Sequence, residues 1–285
     1  MNYKVEFENG RYGLKAVIKT SWDDSLLIPL NDKNITDLEI NSGKGWSGEH
    51  VDFLSLFPNL RSLTLIDFNI QSIEGIHYLK NLERLEVHTY SKTAVNFNSF
   101  PKLTDCAFEW IKGSESLFEK IGITSLFINS YKAKNATQFS KLCNLEELSI
   151  LNSPIENLNG LSGLKSLRFL RLANLNKITS IDCIENFQGL EELEIEKCKG
   201  ILSIAEIFKL LKLKRLLLLD MGGIKSIKDI RNLTELREFL FYESTNIIDG
   251  DLSSILELEN LIKISFQNRK HYTHKRENFG DLYFG

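Results

Sequence analysis

LEELSILNSPIENLNGLSGLK, residues 145–165, is the stretch on which the fold turns. Leu145, Leu148 and Ile150 stand at its first, fourth and sixth positions, and Ile155, Leu158, Leu161 and Leu164 follow at steps of three. Alternate side chains of a strand share a face, so Leu148 and Ile150 point the same way. Steps of three suit a tight helical or extended return rather than a second strand. Such a unit cannot bury its apolar row alone and needs a copy on each side.

The copies are present. Leu167, Leu190, Leu213, Leu236 and Leu261 open the same pattern downstream, as in RFLRL, EELEI, KRLLL, REFLF and LIKISF. Upstream the openers are Ile123, Leu103, Leu82, Leu60 and Ile35, which makes eleven units with openers 20 to 25 residues apart. A solenoid of this kind is one quasi-linear domain whose core grows unit by unit. The expected organisation is therefore an N-terminal cap over residues 1–34, repeats over 35–266 and a C-terminal cap or tail over 267–285, all one structural domain.

Composition fits that reading. The 285 residues are 42% hydrophobic with a formal net charge of −3, ordinary for a folded chain and without a global basic field for nucleic acid. No apolar run is long enough to span a bilayer, and MNYKVEFENGRYGLKAV lacks the apolar core of a signal peptide, so a cytoplasmic location is expected. Cys106, Cys143, Cys183 and Cys198 lie in different units without CxxC spacing, which reads as reduced, partly buried thiols.

From Tyr3 to Thr20 the chain alternates around Asn9-Gly10, a hairpin signal. A hairpin there would cover the open edge of the first repeat strand. Trp22 and residues 26–30 complete this cap, and Trp46, between Gly45 and Gly48, sits in a loop that departs from the repeat. The zone from Leu82 to Phe118 keeps its strands but replaces the normal returns by HTYSKTAVNFNSFP and EWIKGSESLFEK. Departures of this kind collect both functional loops and ordinary drift. Cys198 falls at the ninth position, where Phe68, Ser153, Leu175 and Met221 stand in other units, so a polar ladder there is incomplete.

Positions three, five and seven of each unit alternate with the buried four and six and should face solvent. Eleven strands would present a strip roughly 50 Å long, enough for a protein-sized ligand. On it Phe127, Leu151, Phe169, Leu217, Leu219, Leu240 and Tyr242 are apolar, and Trp110 joins them from the irregular zone. Exposed apolar patches with aromatic anchors mark interfaces. The same positions hold ten acids against four arginines and lysines, with Glu192, Glu194 and Glu196 in one strand and Arg171 beside them. That excess favours a protein partner with basic patches, although a charge run is also what a solvated face looks like.

The basic stretch Arg269, Lys270, His271, His274, Lys275 and Arg276 reads as part of the C-terminal cap, with a phosphate-contacting patch as the alternative. No catalytic constellation is present: Gly160 to Ser166 has the wrong spacing for a phosphate loop, and no zinc, EF-hand, HExxH or GxSxG pattern occurs. The chain is therefore expected to be a non-enzyme, without cofactor or metal, acting as a monomer and touching neither nucleic acid nor membrane.

The unit LxxLxLxxxxIxxIxxLxxLxx resembles the short leucine-rich repeat class of bacterial internalins and phosphatase-regulator-like proteins, over about residues 35–266. The resemblance implies an α/β fold: a right-handed leucine-rich repeat solenoid, or horseshoe, with a parallel β-sheet on the concave face. Short helical, 3-10 or extended returns would form the convex face, and a β-hairpin the N-terminal cap. It also implies protein recognition as the family's work, although the internalins' signal peptide and surface anchor have no counterpart here. The whole chain further resembles small cytoplasmic bacterial leucine-rich repeat proteins with KGW, YSKT and NRKHYTHKR-like segments, here Lys44 to Trp46, Tyr90 to Thr93 and Asn268 to Arg276. That likeness implies an immunity-type role, neutralising a toxin; the alternative reading is an exported surface adhesin.

Overall fold

The computed structural model describes residues 4–282; Tyr3, which begins the alternating stretch, and the last three residues of the tail lie outside them. The chain forms two compact units, Met1–Ile128 and Asn129–Gly285.

The first unit opens on an antiparallel hairpin, β1 (Val5–Asn9) and β2 (Leu14–Ile18), with Asn9 opposite Leu14. Asn9 is the last strand residue and Gly10 starts a four-residue loop, closed by Gly10 N–H donating to the Gly13 carbonyl at 2.7 Å. β2 also runs parallel to β3 (Asp37–Asn41), with Lys15 opposite Asp37. The hairpin thus covers the repeat edge by supplying an extra rung. Between β2 and β3 a single-turn helix, α1 (Leu27–Asp32), follows a 3-10 turn capped by Asp23, whose carboxylate accepts from Ser25 N. Trp22 stacks on Phe53 at 4.0 Å, and Trp46 is buried against the same ring at 5.8 Å. Both tryptophans therefore pack the cap.

β4 (Ser62–Ile66), β5 (Arg84–His88), β6 (Asp105–Glu109) and β7 (Ser125–Asn129) continue the first unit in sequence order. The second holds β8 (Glu147–Leu151), β9 (Phe169–Ala173), β10 (Glu192–Glu196) and β11 (Arg215–Leu219). After β12 (Gly223–Ile224) come β13 (Glu238–Tyr242), β14 (Asn246–Ile247) and β15 (Lys263–Phe266), with β12 and β14 pairing as a small separate ladder. From β3 on, every repeat strand begins two residues after its opener, and the pairings determined between them are parallel without slippage.

The in-register stacking makes the core. Leu148, Ile150, Leu170, Leu172, Leu193 and Ile195 are fully buried, as are the openers Leu145, Leu167 and Leu190. Each buried leucine or isoleucine contributes roughly 1.5–3 kcal/mol of transfer free energy. Most returns contain a short 3-10 segment, such as Glu74–Tyr78, Asp182–Asn186 and Lys228–Asn232. The return of the stretch at 145–165 is the extended variant. Leu161 N–H reaches the Leu158 carbonyl at 3.0 Å and Leu164 N–H the Leu161 carbonyl at 2.9 Å, turns that bury all four apolar residues. Gly160, at φ +100°, allows this, because a Cβ there would lie 2.4 Å from Thr137 Cα.

The tail closes the second unit. Tyr272 and Phe279 are buried, Phe279 edge-on to Phe266 at 5.5 Å. Its cations cap carbonyls: Arg269 donates to those of Glu243 and Thr245, Lys275 to those of Lys270 and Tyr272, and Arg276 Nε to that of Phe266 at 3.1 Å.

Candidate functional site on the open face of the sheet

Because each strand starts at position three of its unit, positions three, five and seven project from the face opposite the core. The described residues on that face are mostly half-buried, with exceptions that matter. Leu217 is only 7% exposed and Ala173 only 1%. Leu217 lies in register between Glu194 and Leu240, with Arg215 bonded to Glu194 alongside, and this cover removes it from solvent. The sequence expectation of an open Leu217 is corrected accordingly.

Register also divides the apolar row. Leu217 stands opposite Leu240 and Leu219 opposite Tyr242, a two-by-two cluster across β11 and β13. Leu151 and Phe169 lie at opposite ends of β8 and β9: Leu151 faces Ala173, and Phe169 faces Glu147 and Glu192. In the first unit, Phe127 meets the His88 ring edge-on at 5.9 Å. Trp110 follows the end of β6, with its ring 6.4 Å from Phe108 and 6.2 Å from Phe118. It is thus off the strand face.

Polar side chains between these groups form a lattice. Arg171 lies 3.6 Å from Glu194 and 3.1 Å from Glu196, and Arg215 reaches Glu192 at 3.4 Å and Glu238 at 3.5 Å. Lys197 adds to Glu196 and Lys263 to Glu238. The acid excess read from the sequence does not become an open acidic field, because opposite charges stand directly across the register.

The first unit neutralises its acids likewise. Arg84 pairs with Glu86 at 2.7 Å and lies 3.6 Å from Asp105, which the hairpin's Arg11 also reaches. Hydrogen bonding to His88 pulls the Glu86 carboxyl down to about 2 against the cost of burial, with Arg84 assisting. Asp37 and Glu39, expected in solvent, are 3% and 4% exposed under the hairpin loop, where backbone N–H groups and lysines satisfy them. A polar cleft of about 510 Å³ opens there, lined by residues of the loop and of β2 to β5 together with Lys44.

Two exposed aromatics escaped sequence reading. Phe68 and Tyr90, 44% and 72% exposed, pack against each other with tilted rings 4.8 Å apart. They stand at the ninth position of successive units, and that coincidence was the available signal. No group of His, Cys, Asp and Glu among the described residues could hold a metal ion. No helix among them is long and apolar enough to cross a membrane.

No protein-family model and no curated protein matches this chain. Solved structures do. An internalin of Listeria monocytogenes superposes with a TM-score of 0.67 at 20% identity, covering 89% of this chain and 74% of that one. The plant peptide hormone receptor RGFR1, solved in complex with RGF2, gives 0.55 at 18% identity over 91% of this chain and 45% of the receptor. TLR13, solved with a single-stranded RNA, gives 0.60 at 24% identity over 84% and 36%. These likenesses define the class: parallel strands joined by short returns in a repeat of about 22 residues. The chain has the leucine-rich repeat fold, similar to that of a bacterial internalin.

Proposed function

We propose that this chain is a non-catalytic protein-recognition module whose open sheet face, the concave side of the solenoid, takes a protein partner. The observation that carries this reading is the in-register cluster of Leu217, Leu219, Leu240 and Tyr242, in which Leu219, Leu240 and Tyr242 stay half-buried on the face around the covered Leu217. The pairs of Arg215 with Glu238 and of Arg171 with Glu196 flank it. An apolar centre inside a polar rim is the anatomy of a protein interface. Phe127, Leu151 and Phe169 would be secondary anchors. With the face's acids paired within the chain, apolar contact rather than attraction to basic patches supplies most of the affinity. The tail's Arg269, Lys275 and Arg276 are engaged with carbonyls, which argues against a phosphate-binding role for them.

The finer reading is a cytoplasmic, monomeric, immunity-type protein that neutralises a toxin. Likeness to an internalin over 89% of the chain favours a second reading, an exported adhesin. Partner capture from the native lysate with wild type, Leu240→Asp and Tyr242→Ala tests the face. Both variants should lose a partner that wild type retains, with thermal unfolding unchanged; retention by both would refute the face. The partner, expressed without this chain, should arrest growth in the immunity reading, and recovery of the protein at the cell surface would instead establish the second.

A further inference from the structure

The cleft of the first unit is separate from the apolar cluster and has its own chemistry. Its lining carries three acids, Asp37, Glu39 and Glu86, and four cations, Arg11, Lys15, Lys44 and Arg84. What matters is which of these groups has bonding capacity left.

The acceptors are all engaged within the chain. The Asp37 carboxylate takes Arg11 N–H at 3.0 Å, Tyr12 N–H at 3.3 Å and the Thr36 hydroxyl at 2.8 Å. Glu39 takes the ammonium groups of Lys15 at 2.6 Å and Lys44 at 2.8 Å and the Asn41 amide at 3.1 Å. Glu86 takes Arg84 at 2.7 Å and the Thr64 hydroxyl at 3.3 Å, with His88 at 3.5 Å.

The donors are not all engaged. Lys44 gives one of its three N–H groups, to Glu39, and its side chain is 45% exposed. Lys15 uses two, on Glu39 and Glu8. Arg11 uses one guanidinium nitrogen, on Asp105, and its side chain is 58% exposed. Backbone packing fixes both walls. Gly10 lies so close to Asp37 that a Cβ would come within 2.7 Å of its carboxyl carbon. Gly45, at φ +110°, ends the turn that aims Lys44 back at Glu39.

We propose that this cleft binds the carboxylates of an acidic peptide segment, received by Lys44, Lys15 and Arg11. An incoming ammonium or guanidinium would meet carboxylates already paired within the chain and four like charges, whereas a carboxylate gains charge-assisted hydrogen bonds from donors already held in place. The volume falls within the range of ordinary ligand pockets and suits one or two acidic side chains.

The test uses the full-length, isotope-labelled protein and NMR shifts of the Gly10, Gly43 and Lys44 amides. The probes are the blocked peptide Gly-Asp-Glu-Asp-Gly, its Asn/Gln counterpart, its Lys counterpart and inorganic phosphate. The acidic peptide should bind saturably, weaken at high salt, and bind about tenfold more weakly to Lys44→Gln or Arg11→Gln. Leu240→Asp should bind it like wild type, so failure here and failure of the proposed face remain distinguishable. The proposal is overturned if the Asn/Gln or Lys peptide binds as well, if neither cleft variant weakens binding, or if phosphate binds as tightly as the acidic peptide.

Discussion

The two units treat the end of a strand differently. In the second, position eight is left-handed in six successive repeats, at Ser130, Asn152, Asn174, Lys197, Asp220 and Glu243. The side chains after the first five of these turns, Tyr131, Ser153, Leu175, Cys198 and Met221, enter the core. In the repeats opened by Leu60 and Leu82, Asp67 and Thr89 hold position eight without a positive φ and are themselves buried, while Phe68 and Tyr90 point outward. The backbone bond at this position is common to both: Asp67 N–H reaches His88 O at 3.0 Å, as Asn174 N–H reaches Glu196 O at 2.9 Å. Local side-chain turns make the difference. Asp67 Oδ1 accepts Asn69 N–H, and Thr89 Oγ1 accepts Ser91 N–H, bonds that compete with the left-handed conformation. In the repeats opened by Leu60 and Leu82 the ninth side chain is displayed, whereas after the left-handed turns at Ser130, Asn152, Asn174, Lys197 and Asp220 it is packed.

The largest test of this contrast is truncation at position nine. Leu175→Ala should cost about 2–5 kcal/mol in urea unfolding and Phe68→Ala less than about 0.5. Equal losses would erase the distinction between packed and displayed. Next, Asn174→Val should cost about 1–2 kcal/mol, since a β-branched residue resists the left-handed region, whereas Asn174→Gly should be nearly neutral. If valine were tolerated, the turn would not depend on that conformation.

The smallest effect concerns pH. Because Glu86 is depressed to about 2 in the folded chain, its stabilising contribution is complete above its unfolded value and is lost as pH falls toward 2. Glu86→Gln should therefore lower stability at neutral pH and make it less sensitive to acid between about 4.5 and 2. A wild-type acid profile unchanged by the substitution would remove the carboxylate from the account.

Leucine spacing exposed most of the fold. Openers such as Leu145 and Leu213 set the strand phase because every turn must bring its apolar residues to one shared core, and the Asn9-Gly10 signal located the hairpin. The parallel pairing of β2 was not visible, since Gly13 occupies the opener's place and breaks the pattern. The site was legible in which residues share the face and hidden in what they do to one another. Leu217 reads as exposed by position, and its cover comes from neighbours more than twenty residues away on either side. The run of glutamates in β10 reads as a field, but Arg171 and Arg215 are placed against it only by register. The engaged acceptors of Asp37 depend on a loop whose contact no local pattern records.

The spacing of the openers carries a consequence for insertion and deletion. Repeats of 20 to 25 residues all place their strands two residues past the opener, so every difference in length is absorbed in the returns. One residue added beside Asn176-Lys177 changes only a bend on the far side, whereas one added inside β10 would exchange Leu193 and Ile195 for glutamates in the core. Such a chain can therefore lengthen or shorten in its returns while the open face of the sheet keeps its spacing and changes only by substitution.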